Sequence, residues 1–358
     1  MKLSVKIYGA GSIGNHYAKA CRNKRWNVTI FDKDPKALIR TRNFIYPNRY
    51  KKWDKKIRLI SKDENLFYDL IIIGTPPDSH LNIANKILDK NLCKVLHIEK
   101  PLCTPDLKGI GNFLRGVEKS RIKVICGYNH IFAKNTFLTK RLLSKNNKIG
   151  KILTITAYNR EHWGGIFAAH PWLKGPEESY LGHYRKGGGS LCEHSHAINL
   201  FVHFSHFLNL GKVKVVNADI QFEKKKSVHF DKLNFINLKT DNEIIGNVIQ
   251  DVITKPAQKF IRIQGTRGYV ESHINYDNKS DAVILSVDDK KKIFKIRKSR
   301  IDDFKGQLNF IGDLIKNKRT FSHKKQLRES IETMLIISAA IKSSITKKKV
   351  EISYKNFF

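Results

Sequence analysis

The chain of 358 residues reads as an α/β protein of two domains. A doubly wound parallel sheet is expected over residues 1–128, followed by an α+β domain with a mostly antiparallel sheet over 129–358. Three observations predict this division. Apolar runs alternate with helical patterns through the first part, the runs after residue 213 follow one another without helices between them, and a Gly-x-Gly-x-x-Gly turn leads directly out of the first run. Alternating strands and helices imply parallel pairing with crossovers on both faces, whereas successive strands joined by polar turns pair antiparallel.

The strands of the first domain are expected at 4–8, 28–31, 57–60, 69–74, 94–98 and 122–126, with helices near 14–24, 79–90 and 105–119. Leu70-Ile71-Ile72-Ile73 is a continuous apolar run, the pattern of a strand buried on both faces. Beyond residue 130, a helix at 133–145 precedes a strand at 152–158, and a loop rich in Gly, His, Trp and Pro fills 160–189. A helix from 190 to 208 leads into 213–296, which offers five or so strands with polar turns at Thr240-Asp241-Asn242 and Gly265-Thr266-Arg267-Gly268. Two amphipathic helices close the chain, with apolar stripes at Ile301, Phe304, Leu308, Ile311, Ile315 and at Leu327, Ile331, Met334, Leu335, Ile341.

A chain of this length buries a sizeable core. Its 67 Lys+Arg against 32 Asp+Glu give a net charge of +35, a balance that attracts anions. The lysines are spread along the chain, however, and the clusters Lys224-Lys225-Lys226, Lys290-Lys291-Lys292 and Lys347-Lys348-Lys349 fall beside element ends. No zinc-finger spacing or RNA-binding aromatic motif accompanies them, so the charge points to anionic small substrates rather than specific nucleic-acid recognition. The cysteines at 21, 93, 103, 126 and 192 form no C-x-x-C pair and sit in or beside apolar stretches, as buried reduced thiols do. No apolar run approaches the ~18–20 residues needed to span a bilayer, and the first strand starts too near Met1 for a signal peptide. The chain is expected to be cytoplasmic and off the membrane.

The chemistry begins at Val5-Lys6-Ile7-Tyr8-Gly9-Ala10-Gly11-Ser12-Ile13-Gly14. Gly9 permits a tight turn, Gly11 lets backbone amides such as those of Ser12 and Ile13 approach a pyrophosphate, and Gly14 lets the helix pack closely on the strand. The helix start offers amides and partial positive charge to phosphates. Asp32 ends the next strand, where a carboxylate accepts from a ribose 2′-hydroxyl and repels a 2′-phosphate. That favours NAD; Lys33 beside it softens the repulsion and keeps NADP as the alternative. Ligands of doubly wound sheets sit outside the carboxyl ends of the strands. Thr75-Pro76-Pro77, Glu99-Lys100-Pro101 and Gly127-Tyr128-Asn129 are expected at that edge.

Lys100 ends a strand there and can hold a substrate hydroxyl as a cationic donor. A second cluster, Gly187-Gly188-Gly189-Ser190-Leu191-Cys192-Glu193-His194-Ser195-His196-Ala197-Ile198-Asn199, leads three glycines into a helix. On a regular helix Glu193 and His196 share one face, with Asn199 and His203 further along it, and His194 points elsewhere. A histidine is suited to carrying a proton near neutral pH. The histidines at 194, 196, 203 and 206 contain no His-x-x-x-His pair, so no metal site is expected. In the 160–189 loop, Trp163, Trp172 and Tyr184 could stack on a sugar face, and His183 and Arg185 could hold an anionic group. The competing reading there is an irregular loop held down by buried aromatics.

Taken together, these motifs resemble the glucose–fructose oxidoreductase / inositol dehydrogenase / rhizopine-catabolism (Gfo/Idh/MocA) family over nearly the whole chain. The resemblance rests on Gly9-x-Gly11-x-x-Gly14, Thr75-Pro76-Pro77 with His80, Glu99-Lys100-Pro101-Leu102, Gly127-Tyr128-Asn129, the glycine-triplet helix start and Ser338-Ala339-Ala340-x-x-Ser343. It implies a Rossmann domain, a second domain with a large open sheet, and a homodimer or homotetramer formed through that sheet. It also implies NAD-dependent hydride transfer at a hydroxyl-bearing carbon of a sugar, cyclitol or nucleotide sugar. Residues Thr75, Pro76, Pro77, His80, Glu99, Lys100 and Asn129 would then lie at the cofactor, with Tyr128 and His194 near the substrate. In oxidation His196 would take the hydroxyl proton, Lys100 would steady the developing alkoxide and Glu193 would orient the substrate or the lysine. The family's motif commonly has Asp and then His four residues later; here Glu193 takes the first place and His196, three residues on, the second. Asn199 stands where the family has a further Asp. Two other readings compete: an enzyme that cleaves glycosides with NAD bound but not consumed, and a cofactor-binding sensor or scaffold without catalysis.

Overall fold

The computed structural model describes residues 2–144, 148–168, 170–225, 227–318, 322–355 and 357. The chain forms two compact units. The first comprises Met1–Cys103, Lys108–Gly127 and Arg300–Leu327; the second comprises Thr104–Leu107, Tyr128–Ser299 and Arg328–Phe358.

The chain opens with β1 (Ser4–Tyr8), α1 (Ser12–Asn23), β2 (Asn27–Phe31), two short helices α2 (Pro35–Arg40) and α3 (Tyr46–Tyr50), and β3 (Ile57–Ile60). It continues through β4 (Tyr68–Ile73), α4 (His80–Asp89), β5 (Cys93–Ile98), α5 (Ile110–Lys119) and β6 (Lys123–Cys126). These six strands pair in parallel in the order β3-β2-β1-β4-β5-β6, so the order reverses beside β1, the switch point at which such sheets bind ligands. All of β4 is buried, as its unbroken apolar run requires. Each predicted strand is present within about two residues. The helix predicted from 105 begins only at Ile110, because Pro105 starts a turn and Gly109 adopts a left-handed conformation (φ +84°).

The second unit carries α6 (Lys134–Ser144), β7 (Ile152–Arg160), α7 (Trp163–Ala168), α8 (Gly189–Glu193) and α9 (His196–Phe207). Seven strands follow: β8 (Val213–Lys225), β9 (Val228–Thr240), β10 (Ile245–Asp251), β11 (Gln258–Gly265), β12 (Gly268–Asp277), β13 (Ser280–Val287) and β14 (Lys290–Arg297). The chain closes with α10 (Asp302–Ile315), α11 (His323–Thr346) and β15 (Val350–Glu351). The sheet has nine strands in the order β14-β13-β12-β11-β7-β10-β9-β8-β15, antiparallel throughout except for the β7/β10 pair. Side chains alternate across it. Ile155, Ala157, Ile236, Val248 and Ile263 are buried on the face covered by α8 and α9, while Thr154, Thr156 and Tyr158 lie half-exposed on the other.

Three sequence expectations differ from the structure. The segment 213–296 holds seven strands rather than about five, because a charged, largely exposed run such as β14 still pairs along its length with its neighbour without showing a buried apolar pattern. The helix expected from 190 to 208 is broken at His194-Ser195: the Ser195 amide and hydroxyl both turn back to the Cys192 carbonyl, at 3.4 and 2.8 Å. The boundary expected at 128/129 put Arg300–Leu327 in the second domain, but in the structure this segment belongs to the first unit. Helix α10 packs there on α1 and β5 through Phe304, Leu308 and Ile311. An amphipathic stripe announces that a face will be buried, not against what. The Gln326 carboxamide in the same segment pairs with both the amide and the carbonyl of Cys126 (2.8 and 3.0 Å), closing the backbone of the edge strand β6. At the other sheet's edge, the lysines of 290–292 are exposed along β14, which discourages pairing with another strand. All five cysteines are buried thiols, and no described helix is long and apolar enough to cross a membrane.

Candidate active site

In the first unit the site residues are set by the ends of parallel strands. The ladder continues one residue past each strand: Gly9 donates to Phe31, Gly74 to Tyr8, Glu99 to Ile73 and Gly127 to Ile98, at 2.7–2.9 Å. The three motif segments that begin at Thr75, Glu99 and Gly127 therefore leave the sheet at one edge. The glycines of the first turn are not interchangeable. Gly9 holds φ +102°, and a Cβ on it would lie 2.8 Å from the Gly74 carbonyl oxygen; a Cβ on Gly14 would lie 2.1 Å from the Gly9 oxygen. A Cβ on Gly11 would meet nothing within 4 Å. The turn is closed behind and open in front. Gly11 caps α1 without a side-chain hydrogen bond, and no acidic residue occupies the first turn around Ser12 and Ile13. Residues of this kind fit a bound pyrophosphate.

Asp32 stands beside this turn at the end of β2 and does more than expected. Its Oδ2 accepts from the Ala10 amide (2.9 Å) and its Oδ1 from Asp34 (3.0 Å). The sequence reading missed two further braces, Asn15 and Thr41. The Asn15 carboxamide donates to the carbonyls of Ala10 and Gly11 (3.2 and 2.8 Å) and to Thr41 (3.1 Å), and the Thr41 hydroxyl also reaches Ala10.

His80 is fully buried. Its ring nitrogens lie 3.0 Å from the Pro101 carbonyl and 2.8 Å from that of Thr75, and burial lowers its pKa. It thus ties the Thr75-Pro76-Pro77 turn to Glu99-Lys100-Pro101, a support rather than an open contact. Glu99 is buried too. It accepts from the Tyr17 hydroxyl (2.7 Å), lies 3.2 Å from His97 Nε2 and takes the Lys100 amide at 3.2 Å. Burial pushes this carboxyl up, but His97, Tyr17 and the Lys100 charge outweigh it and hold Glu99 below the usual range. Gly127 is required beside it, since a Cβ there would lie 2.6 Å from Glu99 Oε1. His97 was legible in principle: two positions before Glu99 on one strand, it shares that face. Tyr17 was not, because its contact spans 82 positions. Lys100 itself is half-buried.

In the second unit the glycine-triplet segment separates its histidines. His194, in the break, is buried, while Glu193 and His196 are half-exposed. The His196 ring stacks on His130 (4.0 Å between centroids, 25°) and meets the edge of Tyr128 at 5.6 Å. Tyr128, fully buried, reaches Ser195 at 3.3 Å. Tyr128 therefore backs the histidine from inside the unit, and Asn129 beside it is also buried. His130 was not singled out from the sequence, although it follows the Gly127-Tyr128-Asn129 motif directly. His196, Asn199 and His203 do fall on one face of the unbroken helix α9, but Glu193, expected on the same face, lies on α8 before the break. Asn199 bonds to Thr333 (3.1 Å) and His203 to Glu329 (2.7 Å), inside the packing against α11.

Of the loop aromatics, Trp163 is buried in a small apolar cluster with Leu181 and Val252 and stacks on Phe230 at 4.7 Å. The packing reading holds for it. Trp172 is half-buried with its ring edge against His170. Tyr184 packs edge-on against Phe222 and His229, exposed Arg185 turns back to the Tyr184 hydroxyl at 3.1 Å, and His183 makes a backbone bridge to His229. Among the described residues, no cluster of His, Cys, Asp or Glu suits a metal ion.

Residues 3–128 match the model of a family described as an oxidoreductase family with an NAD-binding Rossmann fold. No curated protein matches the sequence significantly. Among solved structures, levoglucosan dehydrogenase in complex with NADH and levoglucosan is similar over 99% of this chain and 100% of its own, at 16% identity and TM-score 0.75. An oxidoreductase from Agrobacterium radiobacter in complex with NAD+, L-tartaric acid and magnesium aligns over 98% of both chains, at 17% identity and TM-score 0.74. GenD2 from gentamicin A biosynthesis, in complex with NAD, aligns over 98% of this chain and 97% of its own, at 15% identity and TM-score 0.72. At these identities the likeness establishes the fold.

Proposed function

We propose that this chain, which belongs through residues 3–128 to the Gfo/Idh/MocA oxidoreductase family with its NAD-binding Rossmann fold, moves a hydride to or from a hydroxyl-bearing carbon of a sugar-like substrate. The substrate class is a sugar, cyclitol or nucleotide sugar, and the cofactor is NAD, with NADP as the alternative. One observation carries the reading. The chain keeps an acid–base inventory that cofactor binding alone does not need: Lys100 next to the pinned Glu99 carboxylate, and half-exposed His196 on its stack with His130.

The open face of the glycine turn at Gly11–Gly14 would hold the pyrophosphate, and Asp32 the adenosine ribose. When bound, the nicotinamide supplies the hydride acceptor or donor. In oxidation His196 takes the proton from the substrate hydroxyl, and Lys100 donates hydrogen bonds to the oxygen as negative charge grows on it. Glu99, held ionised, keeps the Lys100 backbone in place. Glu193 orients the substrate. The alcohol and sugar-like ligands of the structural neighbours, levoglucosan and L-tartaric acid among them, support this class. The open sheet face would receive a second copy of the chain, which light scattering checks.

The test is a screen of sugars, cyclitols and nucleotide sugars with NAD and NADP, read as absorbance of reduced cofactor. Accumulation with one substrate supports the dehydrogenase. Substrate cleavage without net reduced cofactor would favour the enzyme that recycles bound NAD, and tight NAD binding without turnover of any kind would favour a sensor.

A further inference from the structure

The glycine-triplet segment has an anchor that the motif itself does not contain. Helix α8 starts at Gly189 without a capping side chain and without an acidic residue in its first turn. What meets it is Asp231 of β9, fully buried beneath the segment. Asp231 Oδ2 accepts from the Leu191 amide at 2.6 Å and from the Asn234 carboxamide at 2.9 Å. Gly189 holds φ +78°, and a Cβ on it would lie 2.0 Å from Asp231 Oδ1; a Cβ on Gly188 would lie 2.1 Å from the Tyr180 carbonyl. These two glycines let the carboxylate and the neighbouring backbone close onto the helix start.

The other end of the short helix is held from the same sheet. Asn159 on β7 points its amide at the His194 carbonyl, at 3.5 Å. Asn159 pairs in register with Gln250, and Gln250 with Asn234. A row of three buried carboxamides thus crosses adjacent strands on a face otherwise filled by Ile155, Ala157, Ile236 and Val248. Burying polar groups among apolar ones is costly. The row runs beneath the five-residue helix that carries Glu193 and delivers His196 immediately after it, with Asn234 bonded to Asp231 on one side and Asn159 facing the His194 carbonyl on the other.

We propose that Asp231 is the positioning residue that fixes the height of the α8 segment, and with it Glu193 and His196, over the sheet. The inference rests on the dehydrogenase reading for its catalytic consequence, but not for the anchoring itself. Burial pushes the Asp231 carboxyl up to about 7, so a neutral side chain of the same shape is a fair substitute. Asp231→Asn retains an oxygen for the Leu191 amide; Asp231→Ala does not.

Two measurements on the full chain test it. Hydrogen exchange over residues 187–197 should speed up markedly in Asp231→Ala and stay near wild type in Asp231→Asn. With the substrate found by the screen, Asp231→Ala should lower kcat by ~10–100-fold, the scale of an ångström of misplacement, while Asp231→Asn recovers most of it and the Kd for NAD is unchanged. Gly189→Ala, which drives a methyl group into Asp231, should reproduce both effects if Asp231→Ala does not fold. Unchanged exchange over the segment in the Ala variants would overturn the anchoring. Faster exchange with wild-type kcat would overturn the positioning role. If wild type turns over none of the alcohols, the dehydrogenase reading fails by itself, and exchange still decides whether Asp231 anchors the helix.

Discussion

Gly11→Ala separates cofactor binding from folding more cleanly than any other change at the glycine turn. Its backbone, at φ −78° and ψ −168°, is one that alanine adopts without strain, and the added methyl meets nothing within 4 Å. Replacing glycine at a compatible position stabilises by about 0.4–1 kcal/mol through the unfolded chain. The loss of a glycine helix cap offsets this by a similar amount, about 0.5 kcal/mol. The apo protein should therefore melt within ~4 °C of wild type, at roughly 2–4 °C per kcal/mol for a unit of this size. The same methyl occupies the space in which a pyrophosphate would approach the amides at the start of α1. Losing two charge-assisted amide bonds at about 1.5–3 kcal/mol each weakens NAD binding by about 100-fold or more. Calorimetric titration with NAD, beside thermal denaturation without it, reads both quantities. Gly14→Ala is the contrast: its methyl would sit 2.1 Å from the Gly9 oxygen, so it should lower stability by at least ~1–3 kcal/mol. If Gly11→Ala binds NAD as wild type does, the phosphates do not pass over this turn and the cofactor assignment is wrong.

Lys100→Ala and His196→Ala should each lower kcat by ~10²–10⁴-fold with little change in NAD affinity by titration. His194→Ala, at a buried position, should reduce thermal stability more than turnover, and the opposite ranking of the two histidines would move the proton-transfer role to His194. Asp32→Asn should raise the KM for NAD and improve relative use of NADP; because Asp32 also holds the Ala10 amide, the isosteric change is the informative one, and an unaltered preference would mean that the carboxylate does not read the ribose. Tyr17→Phe removes a hydrogen bond to the buried Glu99 carboxylate and should cost about 1.5–3 kcal/mol near neutral pH by denaturant titration. Glu99 is held below the usual carboxylate range in the folded state, so its stabilising contribution is complete above the unfolded value and is lost as pH falls through the folded one. The deficit of the Phe variant should accordingly shrink in acid, and a deficit independent of pH would count against this role for Tyr17.

How much of this was legible in the sequence follows the range of the forces involved. Local patterns carried the six parallel strands, the glycine turn and the change to antiparallel pairing, because strand periodicity, buried apolar runs and backbone sterics are properties of a few adjacent residues. The same local reasoning placed Gly9 and Asp32 just past the ends of β1 and β2, where each donates one further ladder bond, and Gly14 in the helix packed behind the turn. It went wrong where a continuous pattern hid a break, as at His194-Ser195, whose turn is held by bonds to Cys192 that no periodicity announces. Only the tertiary structure decided which histidine is accessible and which is buried, since exposure depends on what the rest of the chain lays against the ring. Only it revealed that Tyr17 pins Glu99 across 82 positions, that Gln326 closes the edge of β6, and that Asp231 meets Leu191 across 40. A hydrogen bond between residues far apart in sequence leaves no mark on either local pattern, because its energy belongs to the pair and exists only once the chain has brought the two together.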